Sequence, residues 1–201
     1  MTITTSVPAV NYLIHPKRYE PTSTKSMPVE SSAVESIDPS TILRVLDELG
    51  VHYVLVGGLA GLAHGATRPT ADIDCVSSND VENMDRLAGA LVALNARLRV
   101  AGMTDEEAKM LPVQLDAHTL QSFGSSTWNT DFGPLDVLAH LRDANGAEVG
   151  YGELVSRSSL HTIGGVVVRV AALDDVIASK EFADRPKDRE ALPELRKLAG
   201  R

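Results

Sequence analysis

Apolar residues fall at two periodicities along this chain. Ile42, Leu43, Leu46 and Leu49 recur at helical spacing, and Gly50 closes the run. Asp38 stands in front as an N-cap, with Pro39 at the first helical position. Residues 52–56 then form a short apolar block, which predicts a buried strand, and Gly57-Gly58 turns it into a helix over 59–65. A second strand is predicted over 71–77, ended by the polar turn Ser77-Ser78-Asn79-Asp80. Met84, Leu87, Leu91 and Leu94 share one side of a helix over 81–95. Residues 96–116 hold no clean period, although Asp105-Glu106-Glu107 resembles the first turn of a short helix.

Further on, residues 118–123 have strand character, 126–130 form a short strand, and 135–138 form another after the Phe132-Gly133-Pro134 turn. A loop surrounds Asn145-Gly146, and a short helix is expected near 151–154. The β-branched run 166–170 after Gly164-Gly165 predicts a strand. Two helices close the chain, over 173–184 and 187–198, with Pro186 between them and Pro193 as a bend point in the second. There is no internal repeat. This order predicts an α+β domain over 38–201, a central mixed sheet flanked by helices, with the C-terminal helical part at about 172–200. Residues 1–37 contain Pro8, Pro16, Pro21 and Pro28 and many Ser and Thr. They are expected to be a weakly ordered extension, with the apolar patch 10–14 available for docking.

Composition narrows the picture. The length of 201 residues suits one domain with a small appendage, and 43% apolar content is ordinary for a packed core. A single cysteine, Cys75, forbids an internal disulfide and fits a reducing cytoplasm. It lies inside an apolar strand and reads as a small hydrophobe. No segment approaches the roughly 20 apolar residues that span a bilayer, and the first residues lack a signal-peptide core. The net charge of −8 disfavours broad polynucleotide binding. Residues 151–201 nevertheless carry more cations than acids, and Lys180, Arg185, Lys187 and Arg189 are positioned to build a local basic face.

The candidate chemistry sits on the second strand. In Thr70-Ala71-Asp72-Ile73-Asp74-Cys75-Val76 the two aspartates are spaced by two, so both side chains point to one face. Two carboxylates held together need a proton or a cation. Hard oxygen donors beside a glycine turn point to Mg²⁺ and a nucleotide phosphate. Gly57 and Gly58 let backbone N–H groups approach triphosphate oxygens, and Arg68 is suited to neutralise them.

Gly57-Gly58 followed by Arg68-x-Thr70-x-Asp72-x-Asp74 resembles the signature of the polymerase-β-type nucleotidyltransferases. The double glycine, the stretch His64-Gly65-x-x-Arg68-x-Thr70, and the C-terminal Leu173-Asp174-Asp175-Val176-Ile177-Ala178-Ser179-Lys180 with Arg185-Pro186-Lys187-Asp188 are most similar to the AbiEii/MenT toxins of bacterial toxin–antitoxin systems. The resemblance spans roughly residues 38–200. It implies a polymerase-β-like fold and transfer of NMP from an NTP, with two Mg²⁺ ions. It also implies a tRNA 3′ end as acceptor and a cognate antitoxin as partner.

By the same resemblance a third carboxylate joins the metal site. Asp136, on the strand 135–138, is the best candidate, with Asp131 and Asp116 as competitors. Lys180 and Asp188 are implied in the active site and Lys187 in nucleotide binding. Many relatives have Gly-Ser where this chain has Gly57-Gly58; Thr70 is placed to supply part of the missing hydroxyl contact. His64, at the end of an apolar helix, is expected to pack or cap. Two other readings stand beside this one: transfer to a small molecule, as in aminoglycoside nucleotidyltransferases, or to a protein, with 96–134 shaping the acceptor pocket; and a non-catalytic binding module.

Overall fold

A computed structural model describes residues 39–201. The extension expected over 1–37 and the Asp38 cap lie outside the described residues. The first helix, α1, runs Pro39–Glu48 and buries Ile42, Leu43 and Leu46. Strand β1 (Tyr53–Val56) is buried along its whole length and passes directly into α2 (Gly57–Ala63). Strand β2 (Ile73–Ser77) and helix α3 (Val81–Ala93) follow, the helix capped by the Asp80 side chain accepting the Asn83 N–H. Asn83 is fully buried and bridges the start of β1 to the end of β2. Its amide donates to the carbonyls of His52 and Ser78, and its oxygen accepts the His52 N–H. This satisfies every polar atom of a buried side chain.

The stretch without a clean period holds strand β3 (Arg97–Leu98) and helix α4 (Asp105–Lys109), the latter closed by a capping box between Thr104 and Glu107. Residues expected to be a strand at 118–123 instead form helix α5 (Ala117–Phe123). Asp116 accepts the Thr119 N–H at 2.8 Å and caps it, and Ala117 and Leu120 bury together against α3, a spacing of three that only a helix brings to one side. Strands β4 (Ser126–Thr130) and β5 (Gly133–Leu138) form the expected pair. The Asn145-Gly146 loop joins a small hairpin, β6 (Leu141–Arg142) and β7 (Glu148–Val149). Helix α6 (Tyr151–Arg157), β8 (Ser159–Ile163), β9 (Val166–Val170), α7 (Leu173–Ala183) and α8 (Pro186–Leu198) complete the chain. Pro186 begins α8 at a position where its missing N–H costs nothing, and the helix continues through Pro193.

The main sheet has seven strands in the order β3-β4-β5-β2-β1-β9-β8. β2–β5 and β1–β9 are parallel pairs and the others antiparallel. This is the mixed α+β sheet expected from the sequence. One residue in two along β5 and β4 is buried, among them Leu135, Val137 and Trp128. Trp128 satisfies its indole N–H on the Ser126 hydroxyl at 2.9 Å. The alternate residues, Asp136 and Thr127, face the other way. α2 packs on β1 and β2, and α7 packs on both α2 and α8, so the C-terminal helices stand beside the strand that carries the two aspartates. Among the described residues, no helix is long and apolar enough to cross a membrane.

Candidate active site

β2 and β5 run side by side with Asp74 directly opposite Asp136, and Asp72, two residues before Asp74, projects to the same face. One carboxylate oxygen of each of Asp72, Asp74 and Asp136 lies within 4.8 Å of the other two. Thr70 donates its hydroxyl to Asp72 Oδ1 at 2.7 Å. The two competitors for the third position are occupied elsewhere. Asp116 caps α5, and Asp131 accepts from Arg97 at 2.8 Å and from Asn95.

Like charges this close are costly. Burial, followed by the charges of Asp72 and Asp136, pushes the Asp74 pKa up to about 6, against a smaller opposing pull from the Gly58 N–H and Lys187. Burial also raises Asp136. Asp136 Oδ1 is buried and meets no donor among the described residues. A carboxylate oxygen in that state calls for a proton or a cation. Three hard oxygen donors on one face, one of them unpartnered, fit a hard divalent ion such as Mg²⁺.

The glycine turn is built around these acids. Gly57 has φ +63°, and a Cβ there would overlap the Asp74 carboxylate; a Cβ on Gly58 would overlap the Thr70 side chain. Thr70 thus fills the space in which a side chain at position 58 would begin, and its hydroxyl is committed to Asp72. The second glycine and Thr70 are one arrangement in space.

A cleft of about 700 Å³ opens over the triad, lined by Gly57, Gly58, Thr70 and the three acids, with Arg68, Lys180, Arg185 and Lys187 among its cations. Lys180 Nζ lies 3.2 Å from Asp188 Oδ1 and Arg185 Nε 2.6 Å from Asp188 Oδ2. Asp188 is fully buried and does not line the cleft. Burial raises its pKa, but the hydrogen bonds from Arg185 and Lys180 outweigh this and hold it below the usual carboxylate range. Asp188 therefore holds two cleft cations in place. Arg68 pairs with Glu190 of α8 at 2.6 Å. Lys187 enters no hydrogen bond or ion pair among the described residues. Arg189 leaves the basic face expected of it, donating instead to the Asp184 carbonyl at 2.8 Å.

Sequence reasoning missed three further cleft residues, Arg99, His140 and Arg142. No motif marks them. Arg142 is spoken for by Glu148 at 2.9 Å and the Gly146 carbonyl. His64 packs as expected, its Nε2 2.8 Å from the Ala171 carbonyl and its ring edge-on to His161. Cys75 is buried, with its pKa pushed up to about 12 chiefly by that burial, so it carries no thiolate.

No family model and no curated protein matches the chain. Among solved structures, it is similar to the lincosamide antibiotic adenylyltransferase LnuA in its lincomycin-bound form. TM-score is 0.51 and identity 16%, covering 79% of this chain and 94% of that one. The fold is the nucleotidyltransferase fold. Two further likenesses are looser. The antibiotic-resistance factor ANT(2'')-Ia aligns at TM-score 0.47 and 20% identity over 79% of this chain and 78% of its own. An antigenic nucleotidyltransferase-like protein from Paracoccidioides brasiliensis aligns at TM-score 0.47 and 15% identity over 79% and 73%. Within the nucleotidyltransferase fold of this chain, Asp74 and Asp136 sit on two adjacent parallel strands, Asp72 lies just ahead of the first, and the glycine turn abuts Asp74.

Proposed function

We propose that this chain is a metal-dependent nucleotidyltransferase that moves NMP from an NTP to an acceptor hydroxyl at a tRNA 3′ end, and that it is the toxin of a toxin–antitoxin pair whose cognate antitoxin is its protein partner. The observation that carries the catalytic part is the Asp74–Asp136 register pair with Asp72 beside it, one oxygen of Asp136 being buried without a donor. The tRNA acceptor and the antitoxin rest on the motif resemblance alone.

Asp72, Asp74 and Asp136 would hold Mg²⁺, which supplies charge neutralisation at the transferring phosphoryl group and a lower pKa for a bound hydroxyl. The rest is done by the chain. Gly57 and Gly58 keep side chains off the floor of the cleft. Lys180 and Arg185, fixed by Asp188, counter the negative charge of the triphosphate together with Lys187 and Arg68. Asp136, opposite Asp74 in the metal cluster, is suited to take the proton of the acceptor hydroxyl. The acceptor oxygen forms its bond to the α-phosphorus as the bond to the β-phosphate oxygen breaks. Pyrophosphate carries away the released charge.

The test is incubation of the purified chain with each labelled NTP and Mg²⁺ in three acceptor arms: total RNA, a protein lysate, and a drug panel containing lincomycin and tobramycin. Label on RNA is the expected result. Label only on a drug or on protein would replace the acceptor and keep the chemistry. Asp72→Ala is expected to abolish both labelling and growth arrest; growth arrest that survives this substitution would favour a binding module instead.

A further inference from the structure

The register of the sheet places one more cation in line with the acids. Across the strands, Val56 lies opposite Asp74, Asp74 opposite Asp136, and Asp136 opposite Thr127. The β3–β4 pairing matches Leu98 with Trp128, and the next rung is closed by the Arg99 N–H donating to the Thr127 carbonyl at 2.8 Å. Residues on one rung share a face. Asp74, Asp136, Thr127 and Arg99 therefore form a single row, and Arg99 lines the same cleft.

Two features set Arg99 apart from most of the cleft cations. Its guanidinium enters no ion pair or side-chain hydrogen bond among the described residues, a state it shares with Lys187, whereas Lys180, Arg185, Arg68 and Arg142 each have an acidic partner. It also approaches from the opposite flank. Lys180, Arg185, Lys187 and the Glu190 partner of Arg68 all belong to α7 and α8 or the turn between them, beside α2 and the glycine turn. Arg99 lies three strands away from Asp74, beyond Asp136, at a strand spacing of about 4.8 Å. Its side chain is exposed. The carboxylate nearest to it in the row is Asp136, whose charge Arg99 attracts.

We propose that Arg99 is a specificity-determining residue that binds a phosphate of the acceptor, namely the phosphodiester next to the terminal ribose of an RNA 3′ end. This deepens the nucleotidyltransferase reading above and rests on it. The α7–α8 cations take the triphosphate from one side of the triad; Arg99 takes the incoming strand from the other. A guanidinium offers two parallel N–H groups to such a phosphate and keeps its charge at any working pH. A basic group here suits a polyanionic acceptor and opposes a polycationic drug such as an aminoglycoside.

The test uses the full chain and equilibrium binding. A short single-stranded RNA with a free 3′ hydroxyl and a 5′ fluorophore is titrated by anisotropy at several KCl concentrations; NTP binding with Mg²⁺ is measured separately. Arg99→Gln is expected to weaken RNA binding about tenfold and to flatten the dependence of log affinity on log salt by about 0.7, the share of one phosphate on a single strand. NTP affinity and the thermal midpoint should not move, and Arg99→Lys should keep the wild-type salt slope. Unaltered RNA affinity and slope would overturn the proposal and leave Arg99 as a counter-charge to Asp136. So would a loss that falls on the NTP instead. A wild-type chain that binds NTP but not RNA overturns the Arg99 contact alone. One that binds RNA through Arg99 but no NTP overturns the nucleotidyltransferase reading and keeps the contact.

Discussion

Asp74 shows most sharply that the site is built against the stability of its own fold. Its carboxylate is partly buried, faces two like charges and has its pKa pushed up to about 6. Asp74→Asn keeps the shape and an oxygen for the Gly58 N–H but removes the charge. In EDTA at pH 8 this variant should be more stable than the wild type by about 1–2 kcal/mol, read as a rise in thermal midpoint. It should also lose nucleotidyl transfer by roughly a thousandfold, because a metal-holding carboxylate is gone. A midpoint that falls in EDTA would show that the repulsion in the triad is already relieved. Gly57 makes the complementary point. At φ +63°, with the Asp74 carboxylate where a Cβ would be, Gly57→Ala strains the backbone and displaces the acid at once. The expected cost is about 1–2 kcal/mol, and transfer should fall by about a hundredfold from the misplaced ligand.

Among the elements, α8 is the one whose contribution is easiest to overlook. Its buried Asp188 touches no cleft space, yet both Lys180 and Arg185 end on its two oxygens. Asp188→Ala should destabilise the chain by about 2 kcal/mol, since it leaves the largely buried Lys180 without its counter-charge, while water screens the exposed Arg185. The KM for NTP should rise more than kcat falls, because the positive flank loses its position while the acids stay intact; an unchanged KM would deny Asp188 its positioning role. Elements of this kind divide what the sequence discloses from what it hides. The strand carrying Asp72 and Asp74, the glycine turn and the two C-terminal helices were legible because each has its own period, cap or breaker. Residues 118–123 were misread because His118-Thr119-Leu120-Gln121 has strand-like composition, and the deciding signal was the cap Asp116 three residues before Thr119. Strands β3, β6, β7 and β8 were missed: the first three are two residues long, and β8 mixes Ser, His and Thr with apolar residues. Asp136 was reached through a family resemblance, and its place opposite Asp74 is a long-range pairing that no local pattern encodes. Arg99 was out of reach for the same reason, its partner rung lying almost thirty positions along the chain.

For the molecule as a whole, the consequence is a link between pH, cation and stability. The chain carries −8 overall, and three of its carboxylates share one pocket. The folded pKa of Asp74, about 6, lies above its ordinary value of 3.8, so the folded state binds more protons than the unfolded state between those limits. The resulting stabilisation is fully present below about pH 4 and is lost as pH rises through about 6. Without divalent ions this one group should therefore lower stability by at most about 3 kcal/mol between pH 4 and pH 7. Mg²⁺ competes with that proton. Its apparent affinity should be flat above pH 7 and fall by about tenfold per pH unit below pH 6, each ion bound there releasing one proton. The measurement is the thermal midpoint in EDTA and in saturating Mg²⁺ from pH 5 to 8, with isothermal titration in two buffers of different ionisation enthalpy to count protons. The Mg²⁺-induced rise in midpoint should widen from pH 5 to about pH 7, level off above it, and vanish in Asp74→Asn. A rise that is the same at pH 5 and pH 8 would mean that Mg²⁺ binds elsewhere, and the shared pocket would lose its claim to hold the ion.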